Sequence, residues 1–375
     1  MNDLDELRQH VLIHARTQDL ADAVFDEVLG RVTHDGDGPG SWAHEWGAAA
    51  TERERAGDPV NAGRLYTIGR FPYVDGPGRQ SAQYGAVRAF TSWAQSQPGL
   101  RPLEIDLPGG RVRVWTAGLS ATRPLPLLVV MGGIVSTKEQ WAPVLSTLAP
   151  LGVAGVVAEF PGVGENTLTY DAESWRLFPA LLDALDGQAR VDETYLMTLS
   201  FSGHLALRAA GEDRRIRGIV ASGTPISRFF TDRAWLAGVP RVTVNTIAHL
   251  TGVDPVQVPD HIRGWALTPA QLEAVRVPVS HVVSLRDEII PVSEVDLLRQ
   301  YIATVSLLEI DDVHGCPAHS DEVRLWTAVE MQRMRGAGGA GTAMLAAALA
   351  QLRAAQASGA RPRVADLLNP DRANR

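Results

Sequence analysis

The sequence of 375 residues carries a formal net charge of −8 at pH 7, with 45% hydrophobic and 21% charged residues, and suits one large globular domain with an accessory region. The acidic balance argues against a nucleic-acid partner, because neutralising phosphates requires a basic face. The single cysteine, Cys316, excludes an internal disulfide framework, and without a signal-like opening or an apolar run of roughly 18 residues we expect a cytoplasmic protein with no membrane partner.

Residues 1–100 are predicted to form a helical N-terminal domain. Apolar residues at helical spacing and capping residues predict five helices, which begin near residues 1, 20, 42, 59 and 80. Ser41 is a candidate cap for the helix that carries two tryptophans, and Asp58 followed by proline suits the start of the next one. We expect this domain to lie over a substrate site in the rest of the chain.

Residues 101–335 are predicted to form an α/β core with a doubly wound, mostly parallel sheet, because strand and helix patterns alternate there. The first two strands, 103–107 and 112–116, suit a hairpin around two glycines. The apolar run 125–131 suits a strand that is buried on both faces. Later strands are predicted at 152–160, 193–199, 216–222, 278–285 and 305–310, and helices at 140–149, 173–186, 203–210, 293–303 and 321–335.

Two segments depart from this alternation. Residues 226–275 contain several prolines among aromatic and aliphatic residues, which indicates a cap inserted into the core. Within the C-terminal segment 336–375, the glycines of 336–341 predict a flexible link, followed by an alanine-rich helix over 342–356 and a loose tail beyond Gly359. These glycines follow a helix rather than a strand, so they do not suit a dinucleotide loop. We expect no cofactor.

The most informative segment contains Ser200. A predicted buried strand stops at this serine, the chain turns through small residues, and a helix begins, which is the layout of a nucleophile elbow. The residues two positions either side of the nucleophile must be small, and Thr198 and Ser202 fit Ser200 in this respect. Ser202 is a weaker alternative because His204 would crowd the turn. The structural alternative is an ordinary turn in which Ser200 caps the helix.

A serine nucleophile needs a base and an acid that orients the base, in the chain order serine, acid, histidine. Asp287 follows a predicted strand and is the candidate acid, with Glu288 as the alternative. His314 follows the last predicted strand and is the candidate base, with His319 as the alternative. Each of these residues alone could be an ordinary turn or surface residue. Their order along the chain favours a catalytic triad.

The loop after strand 125–131 is predicted to complete an oxyanion hole. The backbone N–H of Phe201 supplies the first donor, and Ile134 supplies the second, with Gly133 as the neighbour that could replace it. No His-Glu-x-x-His pattern occurs, so we expect no metal site. From their positions in the sequence, four residues are candidates for substrate binding: Tyr66, Arg70, Tyr84 and Lys138.

These motifs together resemble the FrsA-like branch of the α/β-hydrolases. The resemblance is carried by the loops Gly132-Gly-Ile-Val-Ser-Thr-Lys-Glu139 and Phe160-Pro-Gly-Val-Gly164, the helical segment ending in Tyr66-Thr-Ile-Gly-Arg70-Phe-Pro72, and Ser200, Asp287 and His314. It covers the chain to about residue 335 and implies an α/β-hydrolase fold behind a helical domain. Members of this branch include esterases, a C–C bond hydrolase of nicotine breakdown and actinobacterial natural-product enzymes. One such type, in tetronate polyketide pathways, removes acetate from an O-acetylated intermediate and leaves an alkene.

The leading hypothesis is therefore a serine-dependent enzyme acting on an ester, such as an acetyl ester, or a related carbonyl of a small natural-product-like substrate. The residues that replace the family's elbow glycines, Thr198 and Ser202, keep non-hydrolytic chemistry open. The alternatives are an eliminase that releases acetate to form an alkene, a C–C bond hydrolase, and a non-catalytic binding protein. The expected partner is a small molecule, and the sequence leaves a homodimer open.

Overall fold

The computed structural model describes residues 2–358, 360 and 364–368. Its N-terminal region consists of the helices α1 (Leu4–Thr17), α2 (Asp22–Arg31), α3 (Trp42–Arg55), α4 (Pro59–Arg70) and α5 (Pro77–Ala94). These helices enclose their own core, in which Trp42, Trp46 and Leu65 are fully buried. Asp58 caps α4 as predicted, since its side chain accepts a hydrogen bond from the Asn61 N–H. Ser41 lies at the N-cap position of α3 as predicted, but its side chain forms no capping hydrogen bond.

The core is built on one mostly parallel sheet, which has eight strands within the described residues. In chain order the strands are β1 (Arg101–Leu107), β2 (Gly110–Ala117), β3 (Pro126–Met131), β4 (Ala154–Ala158), β5 (Arg190–Leu199), β6 (Ile216–Ser222), β7 (Val279–Ser284) and β8 (Val305–Ile310). Their spatial order is β1-β2-β4-β3-β5-β6-β7-β8, and β1 and β2 run antiparallel to their neighbours. The predicted doubly wound sheet is confirmed, and β3 and β5 lie side by side at its centre.

Helices on the two faces of the sheet bury its apolar strands. They are α6 (Lys138–Trp141), α7 (Leu177–Ala184), α8 (Phe201–Glu212), α14 (Glu294–Tyr301) and α15 (Ser320–Met334). Five further helices lie in the segment between β6 and β7: α9 (Arg228–Thr231), α10 (Arg233–Gly238), α11 (Arg241–Thr251), α12 (Val258–His261) and α13 (Pro269–Glu273). The continuous helix predicted over 140–149 was wrong. Only one turn of α6 forms, and two 3₁₀ segments follow at Ala142–Thr147 and Ala149–Leu151. Pro143 and Pro150 lie in the first turn of these segments, where they interrupt regular helical hydrogen bonding.

Residues 226–275 form the cap between β6 and β7, and this cap contacts the N-terminal helices directly. The Glu6 side chain of α1 accepts hydrogen bonds from the backbone N–H groups of Arg241 and Val242, at 3.0 and 2.7 Å. A carboxylate at the first turn of α11 also stabilises the positive end of the helix dipole. Val242 is buried among the residues of the N-terminal core. The cap and the N-terminal helices therefore meet over the same edge of the sheet.

The C-terminal segment packs onto the core through α16 (Ala340–Ala357) and α17 (Val364–Leu368). Arg353 of α16 pairs with Glu322 of α15 at 2.7 Å. Within α17, Val364 and Leu368 pack against the apolar cluster beneath the sheet, so the prediction of a loose tail was wrong for this helix. The rest of that predicted tail, residues 359, 361–363 and 369–375, lies outside the described residues. Over the helices that are described, none is both long and apolar enough to cross a membrane.

Candidate active site

Ser200 lies at the sharp turn between β5 and α8. Its backbone has φ +57° and ψ −126°, a conformation that costs energy in a residue with a side chain and is typical of a nucleophile elbow. Gly203 allows the turn to pack closely, since a Cβ there would lie 2.1 Å from Oγ1 of Thr224. The turn therefore presents the Ser200 hydroxyl at the carboxyl edge of the sheet.

Ser202, the alternative nucleophile, has a different position. Its side chain is fully buried, and its hydroxyl donates a hydrogen bond to the Met131 carbonyl oxygen at 2.8 Å. The same hydroxyl accepts a hydrogen bond from the Leu199 N–H at 3.0 Å. Ser202 thus ties the elbow to the end of β3. The Ser202 hydroxyl therefore has one hydrogen-bond partner on β3, Met131, and one on β5, Leu199.

The structure brings Ser200, His314 and Asp287 into one hydrogen-bonded series. Nε2 of His314 lies 3.1 Å from Oγ of Ser200, and Nδ1 lies 2.8 Å from Oδ2 of Asp287. Because the Asp287 carboxylate only accepts, Nδ1 carries the proton and Nε2 is left to accept from the serine hydroxyl. Oδ1 of Asp287 accepts from the N–H groups of Ile289 and Ile290, which fixes the carboxylate.

The electrostatic surroundings of His314 suit a base. Burial disfavours the charged ring, but the charge of Asp287 and its hydrogen bond outweigh burial and raise the pKa of His314 above its ordinary value. A ring that holds a proton more readily is a stronger base towards the Ser200 hydroxyl. The hydrogen-bond geometry of His314 and the charge of Asp287 beside it therefore both suit a general base.

The two alternative residues make other contacts. Glu288 accepts a hydrogen bond from the backbone N–H of His314 at 3.0 Å, and its other oxygen lies 3.3 Å from Nδ1 of His10. His319 pairs with Asp312 at 3.0 Å and does not line the cavity at Ser200. Neither residue contacts the ring of His314 or the Ser200 hydroxyl.

The predicted oxyanion donors lie beside the serine. Phe201 is the first residue of α8, and Ile134 and Gly133 lie in the loop after β3. Gly133 approaches the elbow so closely that a Cβ would lie 3.0 Å from Cβ of Ser200. Within the described part of the chain, the N–H groups of Phe201 and Ile134 have no acceptor. All of these residues line one cavity, so both donors are available to a substrate oxygen.

Lys138 does not bind substrate in this arrangement, contrary to the prediction. Its side chain is only 3% exposed, and Nζ lies 2.8 Å from Glu139, 3.3 Å from Glu159 and 2.7 Å from Glu165. Burial disfavours the ammonium, but the three carboxylates hold the pKa of Lys138 above its ordinary value. Because the backbone N–H of Lys138 also donates to Glu159, this ion cluster anchors the end of the loop between β3 and α6, which we call the oxyanion loop.

The three substrate-binding candidates of the N-terminal helices also lie away from the cavity at Ser200. The hydroxyl of Tyr66 contacts Thr51 and Glu54 on the far side of α4. Arg70 is buried and donates to the Val135 carbonyl oxygen at 2.8 Å, which supports the oxyanion loop. Tyr84 is 64% exposed on the surface. These predictions were wrong because helical spacing identifies a face of a helix but not which neighbour covers that face.

The cavity in front of Ser200 has a volume of about 790 Å³ and a predominantly apolar lining. It extends from α1 past the elbow to α16 and α17. Its polar side chains include Glu288, the alternative acid, and three residues that the sequence did not single out: His10, His14 and Gln140. His10 and His14 are one turn apart on α1, and their spacing was the available signal. Within the described residues, no group of His, Cys, Asp and Glu has the arrangement of a metal site.

Comparison with known proteins identifies relatives over most of the chain. A family model described as "Esterase FrsA-like" matches residues 8–310. Esterase FrsA of Vibrio vulnificus strain YJ016 is 26% identical over 250 residues, covering 61% of this chain and 60% of the relative. Esterase FrsA of Vibrio cholerae serotype O1 strain M66-2 is 25% identical over 276 residues, covering 68% of this chain and 64% of the relative. The chain thus spans less than two thirds of the length of these curated relatives.

Two solved structures share the architecture. The structure of AbyA5 has 51% sequence identity and a TM-score of 0.90, covering 94% of this chain and 100% of that chain. The structure of a 2,6-dihydroxy-pseudo-oxynicotine hydrolase has 20% identity and a TM-score of 0.65, covering 84% of this chain and 94% of that chain. At that lower identity the likeness concerns the fold alone.

Proposed function

The chain belongs to the FrsA-like esterase family and has the α/β-hydrolase fold, and we propose that it is a serine-dependent esterase acting on an acyl ester, such as an acetyl ester, of a small organic substrate. The observation that carries the proposal is the hydrogen-bonded series of Ser200, His314 and Asp287 at the edge of the cavity. The N–H groups of Phe201 and Ile134 beside the serine, which have no acceptor among the described residues, support it.

In this proposal Oγ of Ser200 attacks the ester carbonyl carbon while Nε2 of His314 takes the hydroxyl proton. Asp287 stabilises the imidazolium that forms. The negative charge on the carbonyl oxygen is held by the N–H groups of Phe201 and Ile134, each worth roughly 3–4 kcal/mol in the transition state. The alcohol leaves with the proton from His314, and a water molecule then releases the acid from Ser200 by the same steps.

The cavity supports a substrate with a sizeable apolar part. A volume of about 790 Å³ is far larger than an acetyl group needs, and the lining is predominantly apolar. We therefore place the short acyl group at the elbow and the larger alcohol part along the cavity towards α16. This division suits the removal of an acetyl group from a natural-product-like alcohol.

Labelling with a fluorophosphonate probe tests the proposed nucleophile. We expect the wild-type protein to be labelled and to hydrolyse p-nitrophenyl acetate, and Ser200→Ala to lose both properties. Ser202→Ala is the matched control, because its hydroxyl is buried against Met131, and we expect it to remain labelled. A folded wild-type protein that is not labelled would favour a non-catalytic binding protein. Labelling that survives in Ser200→Ala would contradict the assignment of the nucleophile.

Acetate elimination is a second candidate, and the predominantly apolar cavity favours it because elimination consumes no water. In this reaction His314 removes a proton from the carbon adjacent to the one that bears the acetoxy group. The C–H electron pair forms the C=C bond, and acetate leaves with the electrons of the C–O bond. Hydrolysis and elimination both release acetate, but their second products differ in mass by one water. Mass spectrometry of the product formed from a β-acetoxy ketone distinguishes the two reactions.

A further inference from the structure

His14 of α1 is a buried titratable residue that the proposed reaction does not use. Its side chain lines the cavity that contains Ser200, and the residue is only 9% exposed. The ring of Phe71 lies 5.2 Å from the His14 ring and supports it from behind. A polar ring in a predominantly apolar cavity wall is a candidate for substrate recognition.

A chain of hydrogen bonds fixes the proton on the His14 ring. The Thr17 hydroxyl donates to the Ile13 carbonyl oxygen at 2.8 Å, so it accepts from Nε2 of Gln140 at 2.7 Å. Oε1 of Gln140 then faces Nδ1 of His14 at 3.0 Å. An amide oxygen only accepts hydrogen bonds, so Nδ1 of His14 carries the proton.

The same ring is neutral near pH 7. Burial lowers the pKa of His14 to about 4, although the hydrogen bond to Gln140 acts in the opposite direction. A neutral ring protonated at Nδ1 has a bare Nε2, which accepts hydrogen bonds and donates none. Within the described part of the chain, Nε2 has no hydrogen-bond partner. Nε2 is not sealed off inside the protein, and because the His14 side chain lines the cavity, this nitrogen is open to the cavity.

We propose that Nε2 of His14 accepts a hydrogen bond from a hydroxyl group of the substrate, so that the site selects esters with a hydroxyl remote from the ester group. This inference rests on the proposed esterase function and adds a substrate class to it. A hydroxyl buried in an apolar cavity without an acceptor is penalised, whereas His14 supplies an acceptor whose orientation Gln140 has already fixed.

Two substitutions separate the two ring nitrogens. His14→Asn keeps an amide N–H near the position of Nδ1, where it can still donate to Gln140, and removes the atom at Nε2. His14→Gln places an amide oxygen near the position of Nε2 and so restores an acceptor. A structural role for the His14–Gln140 contact predicts little loss in His14→Asn, and a substrate-binding role predicts a selective loss.

The kinetic test measures acetate release from octyl acetate and from its derivatives with one hydroxyl group at carbon 3 to carbon 8 of the octyl chain. We expect the wild-type protein to prefer at least one hydroxylated ester over the parent by about threefold to tenfold in kcat/KM, the size expected for one neutral hydrogen bond. We expect His14→Asn to lose this preference, with a larger fall in kcat/KM for the hydroxylated ester than for the parent ester, and His14→Gln to retain part of it. An equal loss for the parent and the hydroxylated esters would overturn the proposal, as would a wild-type protein without any preference.

A second measurement is independent of turnover. In Ser200→Ala protein with ¹⁵N-labelled histidine, we expect NMR to show His14 as the neutral ring with the proton on Nδ1 at pH 7. We expect the Nε2 resonance to move when the preferred hydroxylated ester is added and not when the parent ester is added. A proton on Nε2, or no response to any hydroxylated ester, would refute the inference. A response of Nε2 in a protein whose wild type hydrolyses no ester would instead refute the esterase function alone.

Discussion

The Glu288 carboxylate accepts a hydrogen bond from the backbone N–H of His314, with 3.0 Å between Oε2 and the nitrogen. Its Oε1 lies 3.3 Å from Nδ1 of His10, so one side chain connects α1 to the loop of the proposed base. Burial would raise the pKa of Glu288, but the hydrogen bonds from His10 and His314 outweigh it and lower the pKa to about 2. Glu288 is therefore charged across the working pH range, and this charge acts on His314.

Substitution Glu288→Gln is expected to shift the pH dependence of catalysis. The amide oxygen can still accept from the His314 N–H, but the negative charge that helps to raise the pKa of His314 is lost. The base must be neutral to act, so the acid limb of kcat/KM for p-nitrophenyl acetate should move to lower pH. Glu309→Gln, at an exposed glutamate of β8, is the control and should leave the limb in place. An acid limb that moves to higher pH in Glu288→Gln would contradict this electrostatic role.

Substitution Asp287→Asn is expected to lower kcat for p-nitrophenyl acetate by about 10³- to 10⁴-fold. An asparagine amide group cannot stabilise the imidazolium, and it can hold the His314 ring with the proton on the wrong nitrogen. Asp311→Asn is the matched control, because Asp311 lies in the neighbouring loop after β8, is exposed and pairs with Arg286, the residue before Asp287. We expect full activity in that control. A fall of less than tenfold in Asp287→Asn would reassign the orienting acid.

The parts of the fold that depend on local pattern were predictable, and the site residues that depend on tertiary packing were not. The strand limits of 216–222 and 305–310 agree with β6 and β8, because turn residues bound each apolar run. The series of Ser200, Asp287 and His314 followed from strand ends, which meet at one edge of a parallel sheet.

The proposed role of His14 in substrate binding was not predictable from local pattern. Its importance depends on the cavity that α1 covers and on Gln140, which lies 126 positions away along the chain. Lys138 was misjudged for a related reason, since a lone lysine beside a glycine loop suggests a ligand until three carboxylates are seen around it. Contacts between distant segments decide such cases, and spacing along the chain does not report them.

Substitution Gly203→Ala is expected to destabilise the elbow by about 1–3 kcal/mol, because the new methyl group would lie 2.1 Å from Oγ1 of Thr224. The double variant Gly203→Ala with Thr224→Ala removes the overlapping side-chain atoms, and the Thr224 hydroxyl has no hydrogen-bond partner among the described residues. Thermal unfolding should therefore show a lower Tm in the single variant and recovery of most of the loss in the double variant. A double variant less stable than Gly203→Ala alone would show that another contact limits the turn.

Substitution Lys138→Met is expected to cost about 3–5 kcal/mol of unfolding free energy at pH 8, because it leaves buried carboxylates without their cation. Burial and the nearby Glu139 carboxylate raise the pKa of Glu159 to about 7 although the Lys138 charge acts in the opposite direction, so removal of Lys138 raises this pKa further. A group with a raised folded-state pKa favours the folded state once it is protonated, so the stability lost in the variant should return in part as the pH falls from 8 to 5. Urea unfolding at both pH values measures this change in stability.

Because Lys138 also anchors the oxyanion loop through Glu159, esterase activity should fall in the Lys138→Met variant even where the protein is folded. A deficit in stability that is the same at pH 5 and pH 8 would show that packing, rather than charge, is what Lys138 contributes.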